Sequence, residues 1–342
     1  MQRVLLTGVG GYVGIPLCAK LIENGFSVIG LDRFFFGIDK LASLNTNENL
    51  ILMKGDLRSF DLSYLKDVDM ILDLAGLSND ATAEIDPNLT ISINYKGAIR
   101  LIDGAKKYGV KRYIYSSSAS VYGAGTSLHL KESDKLAPQT AYARSKTKVE
   151  QHLRNTVSEK FETVILRNAT IFGLAPRMRF DLAVNIMTMR AWKERLIYIM
   201  GGGEQWRPFV HVNDVVNAFL LALKSSSNLV SGEIFNVGSN DLNYTIKALA
   251  NHVIDFFPET KIHQIPDDPD QRSYNLNFDK INSVLGYQTQ FTVPDGIKEI
   301  KLALEQKLIK HDEPTYFTLN WYKSLLEWEK LIKSLSYNGK IL

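Results

Sequence analysis

Cysteine is nearly absent: Cys18 is the only one in 342 residues, so neither an intramolecular disulfide nor a cysteine-built metal cluster can form. It is expected to serve as a small buried apolar residue. Long apolar runs are missing too. No stretch approaches the roughly 18 residues that span a bilayer, and residues 1–8 run straight into a strand-and-glycine pattern instead of a signal-peptide core. No run of five or more basic residues occurs, and the formal net charge is only +3, which argues against a nucleic-acid or lipid-headgroup footprint. The six histidines show no metal-ligand spacing, so no metal site is expected. What remains is an ordinary globular composition, 45% hydrophobic and 23% charged, enough to bury a large core in one large or two modest domains. The expected compartment is the cytoplasm, and the expected partner is a small anionic molecule, with no nucleic acid and no membrane.

Apolar runs at 3–7, 27–31, 50–53, 70–74, 112–116 and 163–167 read as strands, and 90–108 and 140–158 read as helices between them. A further helix follows the first run and is stopped by Gly25. Such alternation predicts an α/β fold of the Rossmann type, a doubly wound parallel sheet whose ligand lies beyond the carboxyl ends of the strands. After Gly173 the rhythm loosens, and strand-like runs return at 209–212 and 234–237. The expected division is a dinucleotide-binding domain over 1–175, re-entered at about 209–240. A smaller, partly interleaved substrate-binding lobe takes 176–208 and 241–342, with terminal helices at 295–306 and 321–335.

Thr7-Gly8-Val9-Gly10-Gly11-Tyr12-Val13-Gly14 follows a strand and opens a helix. Glycines there permit a tight turn and close approach of the backbone to a pyrophosphate, while the helix N-terminus offers unpaired N–H groups. Gly8, Gly11, Tyr12 and Val13 are the expected contacts. Asp32 ends the second strand, placed to accept hydrogen bonds from a ribose diol and repel a 2′-phosphate, which favours NAD over NADP. Arg33 pulls the other way, since a guanidinium there suits that phosphate.

Among fifteen tyrosines only Tyr142 is followed four residues later by lysine, Lys146, on one face of a helix. An ammonium and the positive nicotinamide ring near a phenol are expected to lower its pKa and let it work as acid or base. The serines of Ser116-Ser117-Ser118-Ala119-Ser120-Val121-Tyr122-Gly123 follow a strand, so one of them is placed to hold a reacting oxygen in the same crevice.

Together, TGxxGxxG at Thr7–Gly14, SSSASVYG at Ser116–Gly123 and YxxxK at Tyr142–Lys146 resemble the extended short-chain dehydrogenase/reductase family, in its nucleotide-sugar epimerase and dehydratase group. The resemblance runs from residue 1 to about 287. It implies Ser118, Tyr142 and Lys146 as the catalytic set, with Ser117 the alternative one register step away. It also implies cofactor contacts at Asp56 and Leu57 (adenine), Leu74, Ala75 and Gly76 (under the cofactor), Asn94, Ser116, Tyr142 and Lys146. At the substrate end Arg207 and Arg272 resemble the family's diphosphate-binding arginines, a task suited to a planar guanidinium fork. Arg177 and Arg179 are further candidates for the same anion, Ser118 is a sugar contact, and His211 reads as structural.

Ala119-Ser120 stand where the group's 4,6-dehydratases carry Asp-Glu, so dehydration is disfavoured, and decarboxylation likewise. The expected activity is NAD-dependent hydride transfer at a ring carbon, C4, of a nucleotide-diphosphate sugar, as an epimerase acting through a 4-keto intermediate. The alternatives are a 4-dehydrogenase or 4-keto-reductase with net cofactor turnover, and a non-catalytic NAD-binding scaffold or redox sensor. A homodimer through the helices of Asn94 and Tyr142 is expected by analogy.

Overall fold

The computed structural model describes residues 1–123, 128–266 and 272–341. Six strands alternate with helices: β1 (Arg3–Thr7), β2 (Ser27–Asp32), β3 (Leu50–Lys54), β4 (Met70–Asp73), β5 (Arg112–Ser118) and β6 (Glu162–Asn168). Three short strands follow in β7 (Thr170–Phe172), β8 (Leu196–Met200) and β9 (Trp206–His211), then β10 (Ile234–Val237), β11 (Asn243–Thr245) and β12 (Lys261–Ile265). The large sheet has the order β10-β6-β5-β4-β1-β2-β3 and is parallel throughout.

Both faces of this sheet are covered, which is why its strands read as apolar runs and not as alternation. Val4 and Leu6 face a core with Leu17, Leu21 and Phe219, from the helices Gly14–Glu23 and Val212–Lys224. Leu5 points the other way, among Ile71, Leu101, Ile102 and Leu153. The strand order reverses between β1 and β4, where a crevice opens at the carboxyl ends. Thr7 and Asp73 are opposite residues there. Thr7 Oγ1 donates to Asp73 at 2.7 Å and accepts from the amides of Leu74 and Ala75, both at 3.1 Å, so the two strand ends are pinned together.

The chain leaves this sheet after β6. A three-stranded sheet (β11-β9-β7) and a two-stranded one (β12-β8) share a core of Val184, Ile197, Phe209, Leu249, Val253 and Ile297. The strand expected at 209–212 is therefore not part of the large sheet. It ends at His211, which caps the helix Val212–Lys224 by accepting from the Asn213 amide; that helix and β10 are what return to the large sheet. The polar stretch after Pro258 holds β12, paired in parallel with β8 and not expected from its composition.

The helix expected from residue 90 starts three residues earlier, at Pro87, with Asp86 as N-cap. It passes through a π-helical turn over Ile91–Gly97 before continuing as Ala98–Tyr108. Such wide turns re-aim side chains, and this one contains Asn94. Among the described residues no helix is long and apolar enough to cross a membrane, and no group of three or more His, Cys, Asp or Glu is arranged to hold a metal ion.

Candidate active site

A cleft of about 460 Å³ lies over the switch point between β1 and β4. Its floor on one side is the glycine turn. Gly8 has φ +72°, and a side chain at Gly14 would put its Cβ 2.0 Å from the Gly8 carbonyl oxygen, so neither position tolerates anything larger. The helix Gly14–Glu23 starts without a side-chain cap. Its Ile15 and Leu17 amides donate back to the Gly11 and Val13 carbonyls and Pro16 carries none, so it is the positive end of the helix dipole, not a row of free amides, that faces the turn. Tyr12 lines the cleft floor. Its hydroxyl donates to the Gly173 carbonyl at 2.5 Å and accepts from Asn185 at 3.1 Å, which braces the turn against the first residues after β7.

Asp32 accepts from the amides of Gly10 at 2.9 Å and Phe34 at 2.7 Å. It shapes the turn and still lines the cleft, each oxygen keeping a lone pair for a ribose hydroxyl. Burial raises its pKa, and these amides oppose the rise. Arg33 does not reach out for a 2′-phosphate; it binds Asp56 at 2.9 Å. Asp56 also takes Arg58 at 2.7 Å, and the Arg58 hydrogen bond is the chief reason its pKa falls far below the usual range. Leu74, Ala75 and Gly76 continue the floor beyond β4. Asn94 sits behind them, buried, clamping Leu77 by accepting from its amide at 2.8 Å and donating to its carbonyl at 3.0 Å; its amide group supports the segment and is already engaged. Cradle, uncapped helix end and ribose carboxylate together fit a dinucleotide lacking a 2′-phosphate.

The helix Ala141–Thr156 carries Tyr142 to the middle of the cleft. Thr140 caps it by accepting from the Ala143 amide at 3.1 Å, and its own hydroxyl donates to Asp80. Ser118 lies beside Tyr142, opposing the rise of its pKa, and both line the cleft. Because strand side chains alternate, the neighbouring Ser117 goes elsewhere: its hydroxyl donates to Glu150 at 2.5 Å. Glu150 in turn is locked to Arg167 at 2.7 Å, and Arg167 donates to the Tyr122 hydroxyl at 2.8 Å. The register that puts Ser118 beside Tyr142 is thus the one adopted, and Ser117 belongs to a buried network beneath it.

Lys146 is buried, donates to the Ser116 carbonyl at 2.5 Å and lies 4.5 Å from the Tyr115 ring centroid and 5.6 Å from that of Tyr142. Burial pulls its pKa down to about 8, against the pull of Asp73 and Glu150. The lowering expected for Tyr142 is absent in the chain alone. Its pKa rises, mainly from burial and then from Asp80, while Ser118 and Arg179 oppose the rise. Ser120, whose hydroxyl is buried without a partner, and Ala119 line the same wall.

The arginines expected at the substrate end separate into two places. Arg272 binds Asp80 at 2.9 Å, and Arg207 donates to the Arg272 carbonyl and lies 5.2 Å from the Tyr274 ring centroid. Both belong to the Tyr142 end, since Asp80 and Tyr274 act on that phenol. Arg177 lies instead against Phe36, 3.6 Å from its ring centroid, just beyond Asp32. Arg179 makes a bidentate pair with Asp181 at 2.6 and 3.2 Å. Sequence reading missed Asp80, Asp181, Tyr274 and Tyr322 as cleft residues, and Phe35 and Phe36 with them. The aromatic run directly after Asp32 and the Arg-x-Arg-x-Asp spacing at 177–181 were the available signals.

With this geometry in place, the chain matches the family model described as the NAD dependent epimerase/dehydratase family over residues 4–238. It is 25% identical to human dTDP-D-glucose 4,6-dehydratase over 355 aligned positions, covering 98% of this chain and 94% of that protein. It is 28% identical to UDP-glucose 4-epimerase of Mycolicibacterium smegmatis over 308 positions, covering 86% and 96%. The crystal structure of the Thermotoga maritima UDP-glucose 4-epimerase with UDP-glucose superposes with a TM-score of 0.79 at 26% identity, covering 90% of this chain and all of that one.

Proposed function

Because this chain belongs to the NAD dependent epimerase/dehydratase family, with NAD as its cofactor, we propose that it is an epimerase of a nucleotide-diphosphate hexose, inverting C4 through a 4-keto intermediate. Relatives of both reaction types align with it along most of their length, so the choice rests on side chains in the cleft. The observation that carries it is the occupancy of the cleft's carboxylates. Asp32 is held by two amides, Asp56 by Arg33 and Arg58, Asp80 by Arg272 and Thr140, and Asp181 by Arg179, Asn79 and Thr318. Ala119 and Ser120 offer none. Among the described cleft residues no acid is left to expel water from C6, while Ser118 and Tyr142, the pair needed for a C4 hydroxyl, both line the cleft.

NAD, when bound, supplies the acceptor and then the donor of the C4 hydride. Tyr142 takes the proton of the C4 hydroxyl and later returns it to the 4-keto oxygen, and Ser118 holds that oxygen in both directions. Lys146 keeps a positive charge beside the phenol, which offsets the burial that pushes its pKa up. Arg207 and Arg272 are proposed to bind the diphosphate, leaving the sugar free to turn and present its other face. The same reading keeps the homodimer, checked by mass in solution.

The test is incubation of the purified protein with a panel of UDP-, GDP-, CDP- and dTDP-hexoses, followed by product NMR and absorbance at the reduced-nicotinamide band. Inversion at C4 with no net NADH is the expected result. Stoichiometric NADH with a keto sugar would make the protein a dehydrogenase, and a 6-deoxy-4-keto sugar would make it a dehydratase.

A further inference from the structure

Arg177 does not behave like a residue of the sugar-nucleotide site. It is 1% exposed and lines the cleft. Among the described residues no carboxylate forms an ion pair with it: the nearby Asp181 has both oxygens taken by Arg179, Asn79 and Thr318. Its Nη2 donates to Thr318 Oγ1 at 2.8 Å, its face lies on Phe36, and its Nε is buried with no partner. A guanidinium taken from water without a counter-charge is costly, and burial with Arg179 alongside lowers its pKa to about 10. Such a site gains when an anion arrives.

Which anion follows from where Arg177 stands. Its charge acts on Tyr12, within the turn over which a dinucleotide pyrophosphate rides, and on Asp32, which accepts from the Gly10 amide of that turn. Arg207 and Arg272 stand at the other end, with Asp80 and Tyr274. The support for Arg177 comes from the C-terminal helix Thr318–Leu335. Trp321 Nε1 donates to the Phe35 carbonyl at 2.7 Å, and Tyr322 packs edge-on against Phe35 and Phe36 with centroids at 5.9 and 5.5 Å, lining the cleft itself.

We propose that Arg177 binds the pyrophosphate of NAD from the side opposite the glycine turn, and that the segment from Thr318 to Tyr322 holds it there as a strap across the cofactor. The inference rests on NAD as the cofactor and not on which reaction follows. Thr318 and Tyr322 are positioning residues, while Arg177 touches the cofactor.

The experiment measures NADH binding by fluorescence and UDP binding by calorimetry for the wild type, Arg177→Met and Thr318→Val, together with the NAD released on denaturing each purified protein. Arg177→Met is expected to weaken NADH binding 10- to 100-fold and to purify largely without NAD, with UDP affinity within twofold. Thr318→Val, which removes the hydrogen bond to the guanidinium together with the one Thr318 donates to Asp181, weakens NADH binding a few-fold, and it stands in should Arg177→Met fail to fold. Unchanged NADH binding in a folded Arg177→Met would overturn the proposal. Loss of UDP affinity instead would return Arg177 to the substrate. A wild type that bound no NADH would remove the cofactor reading beneath both.

Discussion

On the β1 side of the cleft the contacts come from backbone and strand ends: a turn that admits only glycine at Gly8 and Gly14, an uncapped helix start, and Asp32 held by neighbouring amides. On the far side they come from side chains brought together over long separations. Arg272 meets Asp80 across 192 positions, Arg177 meets Thr318 across 141, and Trp321 meets Phe35 across 286. The first kind of site is fixed by the parallel sheet and carries one ligand chemistry. The second depends on segments far apart in the chain, and it comprises both the Arg207–Arg272 end and the support of Arg177.

The comparison is sharpened most by separating chemistry from cofactor binding. Tyr142→Phe is expected to lower kcat about 1,000-fold, within the range for loss of a general acid–base group, with NAD content unchanged on denaturation. A matching loss of NAD would mean that Tyr142 serves the cofactor alone. Next in size, Arg207→Ala should weaken UDP binding roughly 10- to 100-fold, the worth of one charge-assisted hydrogen-bonding group, and leave NADH binding alone. An effect on NADH would break the division into two ends.

Lys146 gives a stability effect of the opposite sign. Its pKa is lowered to about 8 in the folded chain, so between about 8 and 10.5 the unfolded chain binds the extra proton and stability rises with pH across that window. Below it the burial cost, about 3 kcal/mol, is present in full. Lys146→Met should therefore abolish turnover yet raise Tm by several degrees at pH 7, a gain that fades toward pH 10.5. A lower Tm at pH 7 would contradict the assignment. The smallest effect is expected at Ser117→Ala, which removes one donor to Glu150 and costs about 1 kcal/mol or roughly 2 °C in Tm, with kcat within twofold.

The glycine turn, Asp32 and the Tyr142–Lys146 pair were legible in sequence because each is local: a strand end, a turn and one helical repeat. The doubly wound parallel sheet followed from alternation for the same reason. Ser117 and Ser118 could be told apart only once β5 was paired with β6, since a single step of register exchanges the cleft for the Glu150–Arg167 network. The strand 261–265 was invisible because four of its five residues are exposed, so it carries no apolar signature. Arg177 was, with Arg179, a candidate for the substrate diphosphate, and only the helix starting at Thr318 shows what supports it. Tyr142 departs from expectation for a related reason: the phenol's burial and Asp80 are features of the assembled cleft, and neither is adjacent to it in the chain.

The central claim is that a hydride leaves C4 and comes back to C4. A UDP-hexose deuterated at C4, incubated with the purified protein and followed by NMR, tests it most directly. The account predicts the epimer with deuterium retained at C4 and no free NADH. Deuterium found at C6, or released as reduced cofactor with a 4-keto sugar left behind, would contradict it.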